Sequence, residues 1–459
     1  MQLCTPSFSR VLKELEHWGS YESSARPRDI SRLDGIRRLL KEIGQPHRQL
    51  RVIHIAGTNG KGLSALMLGK LLISEGKSCG IFSSPHLTDI RERICLNGEW
   101  ISQTEFTDCA EKVMKSAHVI SKEIYLSYFD MLTAIALLAF QRTGMSRVIL
   151  ETGLGGRADS TNVTEKELCI LTRIGMDHQE VLGHSLKQIA GEKMGITRPG
   201  IPVVLARQQE TLKTWMIEEL EQNRVPVMDA SSEMRFFPEP VKINPSSFQI
   251  DWKDGMHHRF SASDHMSAPW LECMRTTLIA AEILEPGTRD KRAERLETLR
   301  DVQFPARLEL RRNVSWKKCV FRNMVLDGGH NTDSLTALAE QLLQWNFDRC
   351  VVLLGMARDK LKPELLPGLR ALFRRTELLL LSPYNSPRSV APEVLKRFLK
   401  ECRELEKSPL IHCVPSPEAG MEKAKENSKQ PLIVAGSLYL AGEIMILLEG
   451  KSKTDHQKL

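Results

Sequence analysis

The segment Gly57-Thr58-Asn59-Gly60-Lys61-Gly62 is the strongest local sign of chemistry in the sequence. It follows the apolar run Val52-Ile53-His54-Ile55-Ala56 and opens the apolar-periodic stretch Leu63–Glu75. Backbone N–H groups of a glycine-rich turn at a helix N-terminus form an anion cradle, and a lysine there can reach terminal phosphates. Against the standard phosphate-loop pattern the match is imperfect. The expected first glycine falls on Ile55, and Gly62 replaces the Ser or Thr after the lysine. A glycine-rich turn without a ligand is the bland alternative. The strand–loop–helix context favours phosphate.

Such a loop must be held by a sheet, and the first half of the chain reads as one. Strands are expected at Arg51–Ala56, Cys79–Ser83, Arg147–Glu151, Leu168–Ile174 and Ile201–Leu205. Helices are expected at Leu63–Glu75, Met131–Gln141 and Ser185–Met194. This alternation predicts a mostly parallel sheet with helices on both faces. Between Val225 and Ser261 the texture turns short and polar, predicting hairpins or an irregular insertion; helices resume at Leu271–Leu284 and Lys291–Arg300. After Gln303–Pro305 come strands Phe321–Leu326, Cys350–Leu354, Glu377–Leu381, Leu410–Val414 and Leu432–Ala435, with helices Ser334–Trp345 and Leu438–Leu448. The expected fold is therefore α/β in two domains, 1–300 and 301–459. The first is a phosphate-loop-containing, doubly wound domain; the second is smaller and Rossmann-like. Ligands in such sheets bind beyond the carboxyl ends of the strands.

Composition excludes several classes. With 459 residues, 41% hydrophobic and 26% charged, the chain is ordinary globular material for two or three domains. Its longest largely apolar run, Met131–Phe140, is far short of the roughly 20 residues of a membrane span. Cys4, Pro6 and Ser7 interrupt any leader-like start, and Glu14 and Glu16 follow, so a soluble cytoplasmic protein is expected. The net charge of +7 is a mild excess that suits small anions rather than nucleic acid, and Lys451–Lys453 reads as a solvated end. Ten scattered cysteines without a C-x-x-C pair read as buried thiols in a reducing compartment.

A set of further motifs adds to the phosphate loop: Ser83-Ser84-Pro85-His86-Leu87 with Glu92-Arg93-Ile94, Tyr128-Phe129-Asp130, and Glu151-Thr152-Gly153-Leu154-Gly155-Gly156-Arg157 running into Asp159-Ser160-Thr161-Asn162-Val163. Then come Asp177-His178 with Leu182-Gly183, and Glu192-Lys193-Met194-Gly195-Ile196. The second half supplies Pro305-Ala306-Arg307-Leu308-Glu309, Asp327-Gly328-Gly329-His330-Asn331 and Gly436-Ser437-Leu438-Tyr439-Leu440. In this order, over roughly residues 50–440, the set resembles the folylpolyglutamate synthase and dihydrofolate synthase family of the Mur ligase superfamily.

The resemblance implies an ATP-dependent ligase joining L-glutamate to dihydropteroate and to folates through an acyl phosphate. Gly57, Thr58, Asn59, Gly60, Lys61, Gly62, Cys273, Arg307 and Asp327 would then face ATP, and Ser84, Glu151 and His178 would hold Mg2+. Ser127, Ala158, Asp159 and Ser160, with Arg28–Arg32, would border the pterin substrate. His330 and Ser437 would meet glutamate, and Lys61, Lys193 and His330 would act in catalysis. Lys193 would carry a carbamate, as N6-carboxylysine. The implied protein is a monomer without nucleic-acid or membrane partners. Each residue also has a plainer reading: Ser84 capping a turn, Glu151 pairing with an arginine, His178 as a loop histidine, Lys193 as a helix lysine, Ser437 capping the last helix.

Four positions depart from the family pattern. Leu63 stands where Ser or Thr is usual, Asp130 where Glu is usual, and Ala306 where Gly is usual, the last expected to be harmless. Cys273 occupies a position aligned with an ATP-contacting Asn, and a thiol cannot supply both amide groups. Rival readings are a folylpolyglutamate synthase alone, a Mur-type ligase for a cell-wall precursor, and a non-catalytic ATP- or folate-binding paralogue. Only about 50 residues precede the phosphate loop, which argues against the cell-wall enzyme; the retained polar set argues against the paralogue.

Overall fold

The computed structural model describes residues 6–19, 33–238, 247–261, 263, 266–401 and 409–450. Arg28–Arg32 and Lys451–Lys453 lie outside them. The first sheet has eight strands: β1 Val52–Ala56, β2 Cys79–Phe82, β3 Ile94–Leu96, β4 Glu99–Trp100, β5 Arg147–Glu151, β6 Leu168–Leu171, β7 Val203–Leu205 and β8 Val227–Asp229. Their order is β4-β3-β2-β5-β1-β6-β7-β8, parallel except where β3 pairs with β2 and β4. β1 is therefore central, between β5 and β6.

Its burial explains its composition. Every residue of Val-Ile-His-Ile-Ala is buried, because helices cover both faces. Alternate side chains serve opposite layers. Val52 joins the core beneath helices Gln103–Ile120 and Tyr128–Arg142. Ile53 and Ile55 join the core beneath Lys61–Ser74 and Ala268–Leu284. His54 is the polar exception, and its Nε2 meets Thr161 Oγ1 at 2.7 Å.

In the stretch from Val225 to Ser261 the structure takes the hairpin alternative. β8 extends the large sheet in parallel, and three antiparallel strands follow: β9 Met234–Pro238, β10 Ser247–Trp252 and β11 His257–Ser261. Phe248, Ile250 and Trp252 alternate with outward residues, and the buried set packs toward helix Ala268–Leu284.

The second sheet contains β12 Glu309–Trp316, β13 Cys319–Leu326, β14 Cys350–Leu354, β15 Thr376–Leu381, β16 Leu410–Cys413 and β17 Leu432–Ala435. Its order is β12-β13-β17-β14-β15-β16, parallel apart from the β12–β13 hairpin. β12 is a strand that periodicity does not announce: it is a polar edge, with Arg312 and Asn313 exposed. The architecture is the expected two-domain α/β fold. Among the described residues no helix is long and apolar enough to cross a membrane.

A charged knot ties the phosphate-loop helix to the helices that precede the second domain. Arg295, on helix Arg289–Arg300, is almost completely buried. It donates to Glu75 at the end of the loop helix (2.6 Å), to Glu282 (2.5 Å) and to the Glu285 carbonyl (2.6 Å). Removing one member of a buried ion cluster strands the others without compensation. Arg295→Met is expected to lower unfolding free energy by about 3–5 kcal/mol. Urea denaturation followed by circular dichroism would measure it; a loss under about 1 kcal/mol would mean the knot is solvated.

Candidate active site

The loop after β1 is pressed against the end of β6. Gly57 has φ 156°, and a Cβ placed on it would lie 1.8 Å from Thr172 Oγ1, so no side chain fits. The N–H groups of Thr58 and Asn59 donate to the Arg173 carbonyl (2.9 and 3.2 Å), and Thr58 Oγ1 donates to the Gly175 carbonyl (3.1 Å). These two amides brace the loop from behind. Gly60 caps the helix in the left-handed region, φ 89°, and Lys61 and Gly62 open its first turn. Those first amides have no carbonyl one turn earlier in the helix, which makes them anion donors.

Around this loop lies a cavity of about 710 Å³ lined by both domains. Every residue the resemblance assigns to a ligand lines it except Ser127, with Arg28–Arg32 outside the described residues. Glu151, the last residue of β5, is buried and accepts from the Ser84 N–H (3.1 Å). Lys61 Nζ stands 3.9 Å away and donates to the Gly57 carbonyl (3.2 Å). Burial pushes the Glu151 carboxyl above its ordinary range, against the pull of Lys61. Lys193, also buried, donates to the same Gly57 carbonyl at 2.8 Å. His178 adopts a left-handed conformation, φ 50°, just beyond β6, and burial drives its imidazole down to about 3, so it is neutral.

The second domain faces this wall closely. Asn331 Nδ2 donates to Asn59 Oδ1 (3.2 Å), joining the cap of helix Thr332–Gln344 to the phosphate loop. Asp177 accepts from Lys360 and sits 3.7 Å from His330 Nε2 and 3.8 Å from His178 Nε2. Burial opposes its ionisation, but the hydrogen bond with His330 and the charge of Lys360 hold its carboxyl well below the usual range. His330 Nδ1 lies 3.0 Å from the Gly328 carbonyl. Asp327 accepts from the Leu308 and Gly329 N–H groups, both at 2.8 Å. Ser437 caps the last helix by accepting from the Tyr439 N–H (3.2 Å), yet it still borders the cavity.

On the proposed pterin side, Ser127 sits behind the wall. It caps helix Tyr128–Arg142, and its hydroxyl donates to Asp130 (2.7 Å), which also accepts from Ser160 (2.6 Å). The shorter Asp130 is thus a buried junction for two serines. Asp159 accepts from the Leu154 and Thr161 N–H groups (2.9 and 3.0 Å), which fixes this segment.

Two departures gain a physical meaning. Cys273 Sγ rests 3.6 Å from the Gly60 carbonyl, against the phosphate loop. Ala306 has φ 53°, a region that costs a residue with a Cβ about 1–2 kcal/mol, so the exchange for glycine is not neutral as expected. Sequence reasoning gave no role to Lys360, Glu309 and Tyr384, which line the cavity. Lys360 and Tyr384 follow β14 and β15, so the rule of strand carboxyl ends flags both in retrospect.

Among the described residues no group of three or more His, Cys, Asp and Glu side chains is arranged as a ready metal cage. A hydroxyl, one carboxylate and one imidazole fit a hard cation that keeps most of its water.

No protein-family model matches the chain. It is 29% identical over 428 residues to the dihydrofolate synthase/folylpolyglutamate synthase of Bacillus subtilis, covering 90% of this chain and 94% of that relative. Its fold matches Mycobacterium tuberculosis folylpolyglutamate synthase complexed with ADP, with TM-score 0.82 and 25% identity over 96% of this chain and 98% of that one. It also matches the Yersinia pestis bifunctional folylpolyglutamate synthase/dihydrofolate synthase complexed with AMPPNP and Mn ion, with TM-score 0.78 and 22% identity over 98% of this chain and 100% of that one. The fold and the cleft define a Mur-type ligase architecture. Within it, the chain is similar over nine-tenths of its length to dihydrofolate synthase/folylpolyglutamate synthases.

Burial pushes the Cys273 thiol up to about 12, which leaves almost no reactive thiolate at pH 8. Iodoacetamide at pH 8 is expected to leave Cys273 unmodified in the native protein and to label it in urea. Peptide mass spectrometry reads the outcome; rapid native labelling would mean the loop wall opens.

Proposed function

We propose that the protein is an ATP-dependent ligase that adds L-glutamate to dihydropteroate and to folates already carrying glutamate. The observation that supports this most directly is the facing of two walls. The phosphate loop with Lys61 lies on one domain, and Arg307, His330 and Ser437 lie on the other, with Asn59 bonded to Asn331 between them. A carboxylate reacts with an amine only once its oxygen becomes a leaving group, and transfer of the γ-phosphoryl group of ATP achieves that. Phosphoryl transfer is catalysed mainly by positioning and charge neutralisation.

In this reading Lys61, the first amides of its helix and Arg307 hold the phosphates. Gly57, Thr58, Asn59, Gly60, Gly62, Cys273 and Asp327 shape the ATP site. Ser84, Glu151 and His178 would hold magnesium, which supplies charge neutralisation at the phosphates when bound. Neutral His178 and the under-compensated carboxylate of Glu151 suit that task. Ala158, Asp159 and Ser160 border the pterin, with Ser127 acting from behind through Asp130. His330 and Ser437 orient glutamate so that its amine attacks the acyl phosphate and phosphate leaves. Lys193, once its ammonium has given up a proton, would add to CO2 and release a second proton to become a carbamate. We place the domain division near residue 300, and assign the protein to the cytoplasm as a monomer with no nucleic-acid or membrane partner.

Phosphate release with ATP, glutamate and either dihydropteroate or tetrahydrofolate tests the reading, with amide product measured in parallel. Lys61→Ala is expected to slow turnover about 100- to 1000-fold, equivalent to about 2.7–4 kcal/mol of barrier. Turnover within threefold of wild type would remove Lys61 from the phosphates.

His330→Ala is expected to raise the KM for glutamate while the KM for ATP and the melting temperature hold. Ser437→Ala should do the same and also lose about 1 kcal/mol of stability, because its cap is lost. Unchanged glutamate dependence in both variants would move the glutamate site elsewhere.

A further inference from the structure

The chain enters the second domain through a turn that is strained on both sides of Arg307. Ala306 has φ 53° and Leu308 has φ 49°. Nine non-glycine residues have positive φ among the described residues, and these are the two apolar ones. Neither has a polar side chain with which to stabilise that conformation locally. Backbone strain of this kind persists only where surrounding contacts over-determine it, and it gathers at functional sites.

Four hydrogen bonds hold the turn. The Ala306 N–H donates to Glu309 Oε2 (2.8 Å), and the Leu308 N–H donates to Asp327 Oδ2 (2.8 Å). The Arg307 N–H donates to the Phe304 carbonyl (3.2 Å), and the Gly328 N–H donates to the Ala306 carbonyl (2.8 Å). Glu309 is itself fixed, since Arg311 Nε donates to its other oxygen (2.7 Å). Its side chain is only 13% exposed and borders the cavity. Arg307, so presented, lines the same cavity as the buried carboxylates Glu151 and Asp327, one from each domain.

We infer that Glu309 is a positioning residue for Arg307. By accepting the Ala306 N–H it keeps that residue left-handed, and the turn then directs the guanidinium into the cleft. Without this acceptor Ala306 relaxes toward negative φ and Arg307 leaves its place. The inference rests on the reading of Arg307 as a cation facing phosphate. It requires a side-chain acceptor for the Ala306 N–H at position 309 rather than a charge.

The test compares ADP formation by wild type, Arg307→Ala, Glu309→Ala, Glu309→Gln and the double variant Arg307→Ala/Glu309→Ala. Misplacing a reacting-centre cation costs on the order of 10- to 100-fold in kcat. Glu309→Ala should show that loss with the glutamate KM within about twofold, whereas Glu309→Gln, which keeps a carbonyl acceptor, should stay within about threefold of wild type. The double variant should be no slower than Arg307→Ala alone, because residues acting as a unit are non-additive. Wild-type kcat in Glu309→Ala, equal loss in Glu309→Gln, or a double variant slowed by the product of both effects would each overturn the inference. Wild-type turnover in Arg307→Ala would instead sink the underlying reading of Arg307. If Glu309→Ala does not fold, the same change in an Ala306→Gly background carries the test, since glycine holds positive φ unaided. Recovery to within a few-fold of wild type supports the inference, and failure to recover overturns it.

Discussion

Gly57 is where the two parallel strands β1 and β6 bring their exit loops into contact. The loop lies so close to Thr172 that a single added carbon would collide with its hydroxyl. The Gly57 carbonyl then becomes an acceptor shared by Lys61 and Lys193, which arrive from helices separated by more than a hundred residues. The position of both ammonium groups depends on that carbonyl, and its position depends on the absence of a side chain. Glu151 completes the geometry from β5, since Ser84 N–H and Lys61 approach it from two sides. Central strands and a missing Cβ therefore bring the loop, two lysines and a carboxylate together before any ligand is considered.

The second constraint is how the domains meet. Separate domains in one chain move relative to each other unless their interface is large and apolar. Here polar bonds cross the cleft, and they are unequal. Lys362 with Glu180 is solvent-exposed, a class of pair worth little. Lys360 with Asp177 is nearly buried on both sides, so solvent screens it far less. Asp177 also stands between His178 and His330, one from each domain. A shift of the second domain that frees Lys360 from Asp177 must therefore also withdraw His330 from it.

Much of this was legible in the sequence because the central strands are continuous apolar runs and the phosphate loop sits where one ends. Cys350–Leu354 and Leu432–Ala435 were readable for the same reason, being buried on both faces. β12 was not: its alternation is masked by Arg311, Arg312 and Asn313, and its turn is Lys317-Lys318, with Lys317 at φ 51° in place of the usual Asn-Gly signal. The site residues came from local motifs, so those that act through tertiary contact went unseen. Nothing near Lys360 in sequence announces Asp177, which lies 183 positions away. Ala306 looked neutral because a small residue had replaced a small residue, and only φ reveals the difference.

Charge gives the least expected result. The chain's excess of +7 is a mild one that suits small anions, yet eight Lys and Arg and eight Asp and Glu line the cavity. The walls are balanced, so net charge does not explain an affinity for polyphosphate. What distinguishes the cleft is pairing across short distances, with Lys61 near Glu151 and Lys360 on Asp177, each member largely withdrawn from solvent. Such pairs keep cations at fixed points without the desolvation cost of an isolated buried charge. An entering anion then exchanges one partner for another instead of drawing a loose side chain out of water. Fixed charges of that kind reorganise little during reaction, which is the condition under which electrostatics lowers a barrier most.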